Sequence, residues 1–198
     1  MLTRILVAVL AVLLCVVLRV YNQLIKSRNQ SQEAWSGIDV QLRRRASLIP
    51  NLVEVVRGYA QHERGTFEQV VRARSALQAA GGAGEAANAN NALTQALGRL
   101  FALVENYPQL RASESFTHLQ EELSHIEQKI ALARQFYNRN VLDYNNRIDV
   151  IPSMIVARLL DFRPLEFFDA GEEGRAEVGM TFTPAIVPSE PPAAPPAA

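Results

Sequence analysis

Cysteine is almost missing from this 198-residue chain. Cys15 stands alone, which excludes an internal disulfide and any zinc site built on thiolates. Net charge is missing as well. Twenty Lys and Arg balance twenty Asp and Glu, so no global field draws the chain onto nucleic acid, and no nucleic-acid partner is expected. The fingerprints G-x-x-x-x-G-K-[ST], G-x-G-x-x-G and G-x-S-x-G are all absent. Gly81-Gly82-Ala83-Gly84 has no lysine after it and no strand before it, so it reads as a linker. His62-Glu63 opens like a metalloprotease helix, but Thr66 stands where the second histidine belongs. Glu122-Leu123-Ser124-His125 has the spacing that di-iron bundles use in duplicate, without a second copy. His118 and His125 share a helix face and read as exposed. No catalytic residue, metal or cofactor is expected, and the chain is not expected to be an enzyme.

What is present is unevenly placed. Ile5 to Leu18 is an unbroken run of fourteen apolar residues, and six of the ten prolines fall between Pro184 and Pro196. Fourteen helical residues reach about 21 Å, short of a hydrocarbon core of roughly 30 Å. That length suits a signal-peptide core as well as a short span. Retention is favoured, because no small-x-small cleavage site follows Leu18. Val20, Tyr21, Leu24 and Ile25 also extend the apolar face beyond Arg19. Residues 1–25 are therefore expected to be a membrane anchor, with Ile5, Leu10, Leu14 and Leu18 facing lipid. Arg19, Lys26 and Arg28 follow the run, against Arg4 and the α-amino group before it. The positive-inside bias then places a short N-terminus outside and the body in the cytoplasm.

Residues 26–169 are expected to form a helical body. Trp35, Ile38, Leu42, Ile49, Val53, Val56, Ala60, Phe67, Val70 and Leu77 lie on one stripe with steps of three, four or seven. Pro50 interrupts the stripe without changing its phase, which favours one kinked helix over two helices and a loop. Gly81 to Asn91 reads as a flexible connection, followed by a helix from Ala92 to Glu105. The longest helix runs from about Phe116 to Ile148. Its seam is Phe116, Leu119, Leu123, Ile126, Ile130, Ala133, Tyr137, Val141, Tyr144, Ile148 and Ile151. That is a heptad pattern with one extra residue between Ala133 and Val141, over about 50 Å. Pro152 opens a short helix, Ser153 to Leu160, whose Met154, Ile155, Leu159 and Leu160 either pack on the body or meet lipid. Residues 170–198, rich in Pro and Ala, are expected to be a disordered tail. The fold class is all-α, an elongated antiparallel helical bundle or coiled coil with an N-terminal transmembrane helix.

Two polar patterns stand out on these helices. Arg43-Arg44-Arg45 is the densest charge cluster, but three successive residues fan over about 200° and make no flat phosphate site. One of them is expected to pair with Asp39, and the alternative is contact with anionic lipid or an acidic partner. Tyr-Asn recurs at 137–138 and 144–145. The seven-residue spacing puts both pairs on one face, where Asn138 and Asn145 are expected to hydrogen-bond between helices and fix register.

The segments Ala34-Trp35-Ser36-Gly37-Ile38-Asp39-Val40-Gln41-Leu42-Arg43-Arg44-Arg45, Leu48-Ile49-Pro50-Asn51-Leu52-Val53 and Gly58-Tyr59-Ala60-Gln61-His62-Glu63 resemble the LemA family. So do Glu105-Asn106-Tyr107-Pro108, Tyr137-Asn138 and Ile151-Pro152-Ser153. The resemblance covers Tyr21 to Phe168. It implies a membrane-anchored helical protein with an outside N-terminus and carries no catalytic activity with it. The expected function is a non-enzymatic scaffold in a bacterial inner membrane that self-associates and organises membrane or membrane proteins. An adaptor or regulator of a membrane protease or signalling enzyme is the alternative. The expected partners are membrane lipid, further copies of the chain and a membrane protein.

Overall fold

Apolar and small residues spaced by three and four carry the first helix far beyond the apolar run. In the computed structural model, which describes residues 1–60 and 62–168, α1 spans Leu2–Arg57. Its 56 residues make a rod of about 84 Å. One buried seam follows it through Leu24, Ser27, Ser31, Ala34, Ile38, Leu42, Arg45, Ile49, Leu52 and Val56. No break separates the apolar segment from the body. Then come α2 (Arg64–Ala79), α3 (Ala83–Val104), the single turn α4 (Pro108–Arg111), α5 (Glu114–Asp149) and α6 (Ser153–Leu159). The described residues contain no strand, and the all-α bundle expected from the periodicity is what the chain forms.

α1 and α5 run antiparallel along most of α5, and α2 pairs with α3 beside them. Trp35 packs against Tyr137 at one level, and Arg45 meets Glu127 ten residues further along α1 and ten residues back along α5. The main core runs from Ala34 through Ile49, Leu93 and Ile130 to Phe168. A smaller cluster of Leu24, Tyr144, Ile148, Val156 and Ala157 lies nearer the apolar end of α1.

The structure corrects two expectations. The stripe from Trp35 to Leu77 belongs to two helices, because the chain turns between Gly58 and Glu63. The amides of Tyr59 and Ala60 both bond the Val56 carbonyl there, closing the helix. Ala60 stays buried in that turn, so the apolar phase continues although the direction reverses. Second, α3 begins at Ala83 instead of Ala92. Glu85 accepts a hydrogen bond from the Gly81 amide at 2.9 Å, an acidic brace at the helix start. Ala83, Ala86, Ala87 and Asn90 then bury a narrow face. The short helix opened by Pro152 is present as α6. Of the two alternatives for its apolar residues, Ile155, Leu159 and Leu160 do not pack on the body but stay exposed, while Val156 and Ala157 are buried. The tail assigned to 170–198 lies outside the described residues.

α1 continues through Pro50. Proline has no N–H, so the Ala46 carbonyl loses its usual partner four residues on. The Arg74 side chain, reaching across from α2, donates Nε–H to that carbonyl at 2.9 Å. The helix defect is thereby repaired from outside. Arg74→Ala is expected to cost about 1–3 kcal/mol by stranding the carbonyl. The cost should shrink when Pro50→Ala restores a local N–H, and thermal melts of the two single variants and the double variant measure that coupling.

Candidate functional site

Seven residues make almost two helical turns, so Tyr137, Asn138, Tyr144 and Asn145 align along one side of α5. Against them lies the non-helical segment 162–168. Asn138 donates Nδ2–H to the Phe168 carbonyl at 3.0 Å and accepts the Phe168 amide at 2.9 Å. Asn145 makes the same two bonds to Leu165, at 3.0 and 2.9 Å. The Tyr137 hydroxyl donates to the Glu166 carbonyl at 2.8 Å, and the Tyr144 hydroxyl to that of Arg163 at 3.0 Å. All six bonds address backbone, so they hold a conformation more than a side-chain sequence. Phe168, 1% exposed, closes the strap against Trp35 with ring centres 6.2 Å apart.

This arrangement corrects the interhelical role expected for Asn138 and Asn145. A carboxamide presents one donor and one acceptor side by side and matches both groups of a single non-helical residue. A neighbouring helix has already used those groups internally. The two asparagines fix register, but between α5 and the strap.

Burial raises the pKa of Tyr137, and the nearby Glu166 charge adds to it. Burial also raises that of Tyr144, with Arg28 pulling the other way. Both phenols donate protons to carbonyls, which tyrosinates cannot do. A folded pKa above the unfolded value of about 10 means the contribution is complete below that pH. It is lost as pH rises through the raised values. Tyrosinate absorbance and hydrogen exchange at 163–168 are expected to report strap release together, on the alkaline side only.

The three consecutive arginines separate. Arg43 pairs with Asp39 at 2.9 Å, the expected intrahelical contact. Arg44 is exposed. Arg45 is 4% exposed, which corrects its assignment to lipid or partner contact. Its position three residues after Leu42 and four before Ile49 places it on the seam. It donates to Asn90 and, at 3.0 Å, to Thr94 on α3. Glu127 on α5 lies 2.9 Å from Nη1 but makes no hydrogen bond, and Arg45 Nε has no acceptor. Burial lowers the Arg45 pKa, and Glu127 offsets part of that.

Sequence reasoning missed a further feature at the far end of α1. Where α1 and α2 part, Glu54, Arg57, Arg64, Phe67, Glu68 and Arg72 line an open cleft of about 1000 Å³. The Arg57 guanidinium sits 5.6 Å from the Phe67 ring centre. Among the described residues, Arg57, Arg64 and Arg72 form no ion pair. Alternating acids and bases near Gly58 were the available signal, although the cleft depends on the reversal of direction there. His62, His118, Glu122 and His125 are exposed. Among the described residues, no three His, Cys, Asp or Glu side chains gather as for a metal ion.

Fold and site together define an all-α protein that, among the described residues, has one helix long and apolar enough to cross a membrane and polar groups that chiefly bind its own backbone. The model of the LemA family matches residues 34–182, about three quarters of the chain, and the chain belongs to that family. The match extends fourteen residues past Phe168. Magnetosome protein MamQ of Magnetospirillum gryphiswaldense is 28% identical over 174 residues, covering 75% of this chain and 64% of the relative. MamQ 2 of Paramagnetospirillum magneticum is 27% identical, over 78% of this chain and 66% of the relative. Protein LemA of Metamycoplasma hominis is 26% identical, over 79% and 72%. The chain spans about two thirds of the length of the magnetosome relatives it matches.

Proposed function

We propose that this protein is a non-enzymatic, membrane-anchored scaffold that self-associates through its helical body and organises the membrane or proteins within it. The carrying observation is α1, which leads without a break from an exposed apolar segment into the buried core. Ile5, Leu10, Leu14 and Leu18 are each more than half exposed, an arrangement that a bilayer would cover. Lys26 and Arg28 beyond the anchor support a cytoplasmic body at a bacterial inner membrane, with the short N-terminus outside. The magnetosome relatives support a membrane role by likeness.

Leu132 and Phe136, 67% and 61% exposed and four residues apart on α5, are the proposed self-association surface. Crosslinking and sizing in native-lipid nanodiscs test it. The wild type should form a discrete oligomer, and Leu132→Lys with Phe136→Lys should shift it toward monomer. A wild-type protein that stays monomeric at micromolar concentration rejects the scaffold reading.

The cleft favours a second reading, that of an adaptor for a membrane protease or signalling enzyme. It lies about 58 Å along α1 from Leu18, with three arginines free of internal ion pairs among the described residues. Mild solubilisation should then recover a specific hetero-complex that Arg57→Glu with Arg64→Glu abolishes.

A further inference from the structure

α6 occupies a position that neither the family nor the scaffold reading explains. It buries Val156 and Ala157 in the cluster with Leu24, and Val17 and Val20 of the anchor pack against that cluster. The opposite side is left apolar and open. Ile151 is 75% exposed, Ile155 56%, Leu159 79% and Leu160 52%, with Val150 beside them. Ile155 and Leu159 are four residues apart on α6 and make one stripe, with Ile151 exposed in the turn before the helix. On α1 at the same level, Val16, Leu18 and Tyr21 are also exposed, so the stripe continues the anchor's apolar band.

The depth is consistent with this. The fourteen-residue run reaches about 21 Å, but the helix from Leu2 to Tyr21 covers about 30 Å, a full hydrocarbon thickness. Its body-side boundary then falls at Tyr21. The Tyr21 ring meets Phe162 edge-on at 6.1 Å, an aromatic pair at the level where interfacial aromatics collect. Arg158, in the last turn of α6 and next to Leu159, supplies a cation at the stripe.

We propose that α6 and the turn before it form a second membrane contact, an interfacial helix seated at the headgroup–acyl boundary of the body-side leaflet, with the lipid surface as its ligand. The proposal rests on the anchor lying in a bilayer. Continuity with the anchor band selects lipid over a second copy or another protein as the occupant.

Depth-dependent quenching by brominated lipids in phosphatidylcholine–phosphatidylglycerol vesicles, at one protein per vesicle, tests it. A fluorophore is placed on the native Cys15, or at Leu159→Cys or Leu132→Cys in a Cys15→Ser background. Cys15 should be quenched by deeply brominated lipid. Position 159 should be quenched several-fold more by shallow than by deep bromines, and position 132 by neither. An unquenched Cys15 rejects the bilayer placement of the anchor itself. A quenched Cys15 with an unquenched position 159 overturns the interfacial helix alone. Quenching at 159 that appears only at many copies per vesicle assigns the stripe to contact between copies and equally overturns it.

Discussion

Glu127→Ala is expected to destabilise the protein more than Arg45→Met, although the arginine is the more deeply buried partner. The Arg45 side chain is 5% exposed and that of Glu127 47%. Removing Glu127 leaves a guanidinium in the core with two neutral acceptors and an unbonded Nε. Stranding a buried charge costs about 3–5 kcal/mol. Because Glu127 is half solvated and Asn90 and Thr94 remain, about 2–3 kcal/mol is the appropriate expectation here. Arg45→Met removes the charge and its desolvation together, fills the seam between Leu42 and Ile49, and leaves Glu127 to water. It also takes the donor from the buried Asn90 Oδ1, so its cost should be about 1–2 kcal/mol, below that of Glu127→Ala. Thermal unfolding of the full-length protein in detergent, followed by circular dichroism, gives the ranking. Equal losses for the two variants would show that the node is held by packing instead of charge.

Asn138→Ala combined with Asn145→Ala should free the strap while leaving the helices in place. Each substitution removes two hydrogen bonds and strands one backbone donor and one acceptor, at about 1–3 kcal/mol per site. Both sites hold one segment, so their effects should couple. Trp35 is the sole tryptophan and packs against Phe168, so its emission reports the event directly. The double variant should show red-shifted Trp35 emission and rapid hydrogen exchange at 163–168, with far-ultraviolet ellipticity nearly unchanged. Single Asn→Asp variants keep an acceptor for the strap amide but lose the donor, and should fall between. A loss of helicity in parallel with the tryptophan shift would mean that the strap supports the whole bundle.

Most of the architecture was legible because apolar residues at steps of three and four are explicit in the chain. The α5 seam, the exposed anchor run and the passage of α1 through Pro50 were all read that way. What escaped depended on a partner distant in sequence. The reversal at Gly58 to Glu63 was hidden because Ala60 keeps the apolar phase while the direction inverts. The start of α3 was hidden because Asn88, Asn90 and Asn91 look like linker chemistry, whereas Asn90 is a core residue that receives Arg45. The seven-residue step from Leu42 to Ile49 was the visible trace of Arg45, a core position filled by a charge. The Tyr-Asn pairs were correctly placed on one face, but an asparagine does not announce whether its partner is a helix or an extended segment. The repair of Pro50 by Arg74 needs two helices in contact and has no local signature at all.

The unbroken α1 also sets the azimuth of the body. With no linker between the apolar segment and the bundle, each residue around position 22 acts as a gear tooth. One inserted residue would turn the body by about 100° and lift it about 1.5 Å relative to the anchor. Seven inserted residues would nearly restore its heading, about 10 Å higher. Copies meeting through their anchors would therefore present the same side of α5 and the same cleft to one another, so that lateral order in the bilayer becomes rotational order far above it.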